Sequence, residues 1–288
     1  MRRSLVLPAA LVAIALTVAG CSSAASTSTS GSPSASSASC APATLATTTA
    51  GTLTVGTDSP AYPPYFDSNN PANGKGFESA VAYAVAKQLG YTGKNVVWKV
   101  KHFNNVVAGD ISGVDFDINE VSITAARAKV VDFSNGYYDV NQAIVALKGS
   151  KGATATSMAT LKTLKLGAQV GTTSLTWINS TVKPTQQAQI YNSTNDALSA
   201  LKAGQIDAVV VDLPTAFYVT AVQVPNSIIV AQVKTGGQTG DKFGLVLAKS
   251  SPLTQCVDKA ITALKASGEL QTITDQWLSK AAGAPYLQ

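Results

Sequence analysis

The chain has 288 residues, 45% of them apolar and only 13% charged, with 21 Lys plus Arg against 16 Asp plus Glu. That apolar content rules out wholesale disorder, and the length allows one large or two ordinary domains. The formal charge of +5 is dispersed, no more than two of the 18 lysines falling in any five-residue stretch, which excludes a nucleic-acid footprint. A soluble domain ordinarily carries about 25% charged residues, so each ionisable group here is informative.

Arg2 and Arg3 precede an apolar run over residues 5–20 that is too short and wrongly flanked for a membrane span. It ends Leu16-Thr-Val-Ala-Gly-Cys21, small residues before a cysteine. This resembles the lipobox at which a bacterial lipoprotein is cleaved ahead of a diacylated cysteine; the competing reading is an ordinary signal peptide with a chance cysteine. Residues 22–39 are almost wholly Ser, Ala, Thr and Gly, a flexible tether. A signal over 1–20, a lipidated Cys21 and a tether over 21–39 make one device, anchoring an extracytoplasmic protein to the outer face of the cytoplasmic membrane. Its removal leaves 19 basic against 16 acidic residues, or +3. Export also leaves two cysteines, Cys40 and Cys256, and an oxidising compartment favours one disulfide between them over two unrelated buried thiols.

In chain order, residues 52–57 (TLTVGT) are β-branched and glycine-bounded, which predicts a strand. Residues 77–89 carry apolar side chains at helical spacing and stop at Gly90. A strand follows over 96–100. Further strands are expected over 143–147, 164–170, 208–211 and 243–247, and helices over 194–203, 214–222 and 252–266. This alternation implies an α/β fold with mostly parallel sheets, whose ligands bind beyond the carboxyl ends of strands.

Several familiar signatures fail. Asp115-Phe-Asp117-Ile-Asn119 opens like a calcium loop, but Glu120 replaces the turn glycine and Ala126 the bidentate glutamate. Gly74-Lys-Gly76 lacks the third glycine of a dinucleotide fingerprint. His102 is the only histidine, with no thiolate near it in sequence, so neither a metal nor another cofactor is expected. Ser180-Thr-Val-Lys183, Ser193-Thr-Asn195 and Lys234-Thr-Gly236 loosely follow a serine β-lactamase, but Pro184 disfavours a helical Lys183 and Thr194 stands where that pattern needs aspartate.

Three windows remain. The first is the proline-stiffened loop from Asp58 through Tyr62 to Tyr65. The second runs from Phe103 to Asp117-Ile-Asn119-Glu120-Val-Ser122 and Arg127. The third is Gly171-Thr172-Thr173 with Asp212. Arg127 is the only arginine outside the signal, although 18 lysines are present. A single arginine among lysines points to a need for the planar fork, which grips a carboxylate with two hydrogen bonds. The other reading is a surface pair with Asp132. Asp212, just past an apolar strand, could hold an ammonium group or could cap the helix ahead of Pro214. Tyr62, Tyr65 and Phe103 read equally as core residues.

The ordered set resembles the amino-acid-binding proteins of ABC importers, the family 3 extracellular solute-binding proteins with a type II periplasmic-binding fold. The matching stretches are Leu53-Thr-Val-Gly-Thr-Asp58, Gly76-Phe77-Glu78, Asp117 to Arg127 with Val131-Asp-Phe-Ser134, Gly171-Thr172-Thr173, Leu201-Lys-Ala-Gly204 to Asp212, and Gly268-Glu-Leu to Trp277. The resemblance implies two α/β lobes joined by two crossing strands, placed here near 143–147 and 229–233, with the ligand in the interlobe cleft. The expected division is lobe 1 over 40–146, lobe 2 over 147–232 and the rest of lobe 1 over 233–288. It further implies that Arg127 clamps an α-carboxylate, helped by amides around Ser122, Thr172 and Thr173. Asp212 would hold the α-ammonium, and Tyr62 or Tyr65 with Phe103 would sandwich the side chain; Asp58 and Asn119 complete the expected site.

Two departures bear on specificity. Ser79 and Ala80 stand where the family often has aspartate, and Glu120 occupies a position that is commonly small or amide-bearing. An added carboxylate favours a ligand with a second cationic group, such as arginine or lysine, or pairs internally. No matched position offers a cation for an acidic side chain. The expected function is capture of a polar or basic amino acid (arginine, lysine or glutamine-like) by a monomer that passes it to an ABC permease. A dehydratase-like enzyme on the same fold and a ligand-presenting sensor are the alternatives.

Overall fold

A computed structural model describes residues 40–237, 240–278 and 284–288; the signal, Cys21 and tether lie outside the described residues. The chain forms two five-stranded sheets. The first lobe begins with β1 (Leu53–Thr57), α1 (Phe77–Gln88), β2 (Val96–Val100), α2 (Phe103–Val107), β3 (Phe116–Asp117) and β4 (Val131–Phe133). A short β5 (Tyr138–Val140) leads out of it. The second lobe comprises β6 (Gln142–Leu147), α3 (Met158–Leu161), β7 (Leu166–Gln169), α4 (Thr173–Trp177), β8 (Gln189–Tyr191), α5 (Thr194–Lys202), β9 (Ala208–Asp212), α6 (Leu213–Tyr218) and β10 (Ser227–Val233). The chain returns through β11 (Asp241–Phe243) to β12 (Val246–Ala248), α7 (Thr254–Ala266) and α8 (Glu269–Leu278).

The apolar runs explain the layering. Along β6, Ala143 and Val145 enter one core and Ile144 and Ala146 the opposite one; Val209 and Val211 of β9 alternate with Val210 in the same way. A strand buried on both faces reads as a continuous apolar run, as these do. In the first lobe, Phe77, Val81 and Val85 of α1 pack with Leu53, Val55, Phe116 and Leu247, closed by Val257 and Ile261 of α7. Gly76, at φ 97, starts α1 where any Cβ would meet the Tyr65 carbonyl oxygen at 2.4 Å. That approach lets the carbonyls of Pro64 and Tyr65 accept the first helical N–H groups, from Phe77 and Glu78.

Several expectations need correction. The sheets are mixed: β2-β1-β3 and β9-β7-β8 are parallel, whereas β12 pairs antiparallel with β3 and β4, and β6 pairs antiparallel with β9 and β10. The runs expected to cross between lobes, 143–147 and 229–233, pair with each other inside the second sheet. The crossing pair is instead β5 with β11, which belongs to neither large sheet. The run 243–247 is two strands, since Phe243 pairs with β5 while Val246 pairs across β3 and β4. Its break falls at Gly244, where a Cβ would meet Ile123 at 2.7 Å. The tail at 284–288, expected with the first lobe, lies against the second: Gln232 donates to Pro285 and accepts from Leu287, and Gln288 donates to Thr156.

A disulfide joins Cys40 to Cys256, fastening the segment ahead of β1 to α7 across a sequence separation of 216. A cross-link of that span restricts the unfolded chain strongly. Cys256→Ala, or reduction, is expected to lower the unfolding free energy by about 3 kcal/mol. A denaturant midpoint unchanged on reduction would count against this.

Candidate functional site

The carboxyl ends of β1, β2 and β3 in one sheet face those of β7 and β9 in the other, as the strand-end rule requires. Between them lies a cavity of about 330 Å³. Asp58, Tyr62, Tyr65, Phe103, Asn119, Glu120, Ser122, Arg127, Thr172, Thr173 and Asp212 all line it, so every residue singled out from the sequence for ligand contact is brought to one place.

Arg127 begins a turn after β3 and is only 8% exposed. Its guanidinium donates to the Ser122 carbonyl at 2.5 Å and across the cleft to the Gly171 carbonyl at 2.8 Å, and it lies 5.5 Å over the Phe103 ring. The surface pair with Asp132 does not form; that carboxylate pairs with Lys249. Burial pulls the Arg127 pKa down to about 10, against the attraction of Asp212 and Asp241, and the group stays charged at neutral pH. Two of its five donors are committed to carbonyls, leaving capacity for a carboxylate.

Asp212 ends β9 at the N-cap position of α6, yet its side chain makes no capping bond. It accepts instead from the Gln142 amide, whose oxygen accepts from the Ser174 hydroxyl. Burial raises the Asp212 pKa to about 7, opposed by the Gln142 bond and Arg127 and reinforced by Asp241. Gln142 escaped the sequence reading, although a glutamine opening the apolar run of β6 was a visible signal of a polar group bound for the interior.

The aromatics divide. Tyr65 is 2% exposed and belongs to the first core, while its hydroxyl reaches Thr215 of the opposite lobe at 3.2 Å. Tyr62 is 36% exposed; its ring lies 6.2 Å from that of Tyr218 and its hydroxyl accepts from Asn195 at 2.8 Å. Asn104 makes further lobe-to-lobe contacts, donating to the Asn192 carbonyl at 3.1 Å and accepting from Gln169 at 3.2 Å. Asp58 is engaged locally, with His102 Nδ1 at 2.8 Å, the Ser59 N–H at 2.7 Å and the Phe103 N–H at 3.2 Å. Its carboxylate secures the start of α2 under the cavity. Thr172 likewise spends its hydroxyl on the Gln169 carbonyl and the Leu175 N–H, capping α4.

Carboxylates outnumber cations around the cleft. Glu120 has its pKa pushed well up by burial and by Glu78, Asp212, Asp58 and Asp117. Behind the wall, Glu78 and Asp117 are fully buried, and no ion pair among the described residues involves either of them or Glu120. Burial raises the Glu78 pKa to about 7, and burial with the Glu78 charge raises that of Asp117. Glu78 was read only as part of a motif, because helical position does not reveal where a carboxylate points. Among the described residues no cluster of His, Cys, Asp or Glu could hold a metal ion.

These shifts have a definite sign. Glu78 and Asp212 hold protons more tightly folded than unfolded, so their stabilisation is complete below their ordinary values and is lost as pH rises through about 7. The ligand-free protein is therefore expected to melt several degrees higher at about pH 5.5 than at about pH 8, and Asp212→Asn should shrink that difference. A melting temperature that rises over the same range would contradict the assignment.

Comparison with known proteins agrees with the geometry. An L-arginine-binding protein of Pseudomonas aeruginosa is 27% identical over 225 residues, covering 76% of this chain and 85% of the relative. The L-cystine-binding protein TcyJ of Escherichia coli (strain K12) is 29% identical over 223 residues, 75% of this chain and 79% of the relative. The structure of an ancestral arginine-binding protein bound to arginine superposes with a TM-score of 0.66 at 32% identity, covering 79% of this chain and 98% of the other. Residues 53–280 match the bacterial extracellular solute-binding proteins, family 3, and the chain belongs to that family, with its two-lobe type II fold.

Proposed function

We propose that the protein captures a free polar or basic amino acid outside the cytoplasm and passes it to the membrane permease of an ABC importer. The observation that carries this reading is the placement of Arg127 and Asp212 on facing lobes of one cavity. Their opposite charges suit the carboxylate and ammonium of an amino acid, and the lobes close by turning about β5 and β11. The surplus of buried carboxylates favours arginine or lysine over glutamine and disfavours acidic ligands, since a buried charge is tolerated when paired. The relatives named above, an arginine-binding and a cystine-binding protein, lend support.

Acylation of Cys21 would hold the protein at the outer face of the cytoplasmic membrane as a monomer, the tether leaving the lobes free to dock. Metals, cofactors and nucleic acid have no part in this reading. The alternatives are an enzyme on the same fold, with Glu120 as general acid, and a sensor that would use the same cleft. Mass spectrometry after incubation with an amino-acid mixture separates capture from catalysis, because capture returns the ligand unchanged. A permease and an ATPase encoded beside the gene would favour transport over sensing.

Calorimetry with arginine, lysine, glutamine and glutamate tests the reading, with a basic ligand expected to bind tightest and glutamate weakest. Arg127→Ala should weaken binding about a hundredfold or more, the worth of a charge-assisted bidentate pair, with its circular dichroism unchanged. Normal binding by that variant would remove Arg127 from the site. Saturating ligand should also compact the protein in small-angle scattering, and identical curves with and without it would argue against closure.

A further inference from the structure

Glu78 does not line the cavity, yet it touches the wall from behind. It is the second residue of α1 and is fully buried. Its Oε1 accepts the Glu120 backbone N–H at 2.7 Å and the Tyr137 hydroxyl, while Oε2 has no partner. Glu120 sits at φ 52, a left-handed conformation that strains a residue with a side chain. The hydrogen bond from its N–H holds that turn and so fixes where the Glu120 side chain leaves the backbone. Tyr137 in turn donates its N–H to the Phe243 carbonyl of β11 at 2.8 Å. One carboxylate thus joins the cavity turn to the crossing strands.

The titratable groups facing it are nearly all acids. Glu120 and Asp117 come from β3 and its following loop, Asp212 from the end of β9, Tyr137 from the segment ahead of β5, and Asp58 lies beyond Glu120. The cations in reach are Lys101, which attracts Asp117 and pairs with Asp110, and Arg127, which attracts Asp212. Buried like charges disfavour one another's ionisation, and a cation brought to Glu120 relieves all of them together.

We infer that Glu78 is a positioning and specificity-determining residue: it fixes the Glu120 turn, and its buried charge makes the adjoining end of the cavity take a cationic side chain over a neutral one of the same shape. This rests on the reading of the cavity as a site for a basic amino acid. Because the carboxylates must be ionised to discriminate, the preference strengthens as pH rises through the neutral range.

The test compares arginine with citrulline, its uncharged isostere, by calorimetry at about pH 5.5, 7 and 8.5 on the wild type, Glu78→Gln and Tyr137→Phe. The wild type is expected to prefer arginine about a hundredfold at the highest pH, and less at the lowest. Glu78→Gln keeps an oxygen for the Glu120 N–H, so citrulline affinity should stay within about threefold while the preference falls about tenfold or more and loses its pH dependence. Tyr137→Phe removes a donor to the charged form and should move the loss of preference to higher pH. A wild type indifferent to arginine and citrulline overturns the basic-ligand reading, and the inference with it. A wild-type preference that survives Glu78→Gln, or equal weakening of both ligands in that variant, overturns the inference alone. If Glu78→Gln does not fold, an unshifted pH profile in Tyr137→Phe overturns it.

Discussion

Arg127 carries a buried charge at the seam between two lobes, and neither lobe alone satisfies it. Its guanidinium takes the Ser122 carbonyl from one side and the Gly171 carbonyl from the other, with Phe103 beneath. A lysine at this point would offer one compact ammonium where a planar fork reaches two carbonyls and still faces the cavity. The need to hydrogen-bond this cation from both sides governs how the post-strand loops of the two sheets are set against each other.

Around that cation the protein has gathered more acid than it can neutralise. Glu120 and Asp212 form the wall, with Glu78 and Asp117 behind it, and burial raises the pKa of each. Charges in such surroundings are costly unless paired, so the site is electrostatically poised for positive charge from outside. The same argument underlies the proposed preference for a zwitterion with an extra cation. Asp58, by contrast, is already engaged by His102 and the amides of Ser59 and Phe103, and so serves the loop that shapes the cavity.

The scaffold makes this geometry possible by keeping the crossing pair apart from the sheets. β5 and β11 form a two-stranded ladder outside both five-stranded sheets, with β11 bridged also to Ser122, so rotation there leaves the two large sheets intact. Contacts between the lobes such as Tyr62 with Asn195 and Asn104 with the Asn192 carbonyl are polar and exposed to solvent. The disulfide to α7 is remote from that motion, fastening the segment ahead of β1 within the first lobe.

The sequence by itself determined what depends on short-range pattern. The continuous apolar runs of β6 and β9, the helical spacing of α1 and α7, the loops after strands and the lone Arg127 were all legible, because side-chain periodicity and residue chemistry are local properties. Only the tertiary structure decided pairing and direction. It reversed β6, β10 and β12, divided 243–247 between two sheets at Gly244, moved the crossing pair to β5 and β11, and laid the tail on the second lobe. It also decided which carboxylates matter. Glu78 and Gln142 act through atoms separated by 42 and 70 residues from their partners Glu120 and Asp212, distances over which no sequence period carries information. Burial, which sets their chemistry, is a property of the assembled fold and not of any one segment.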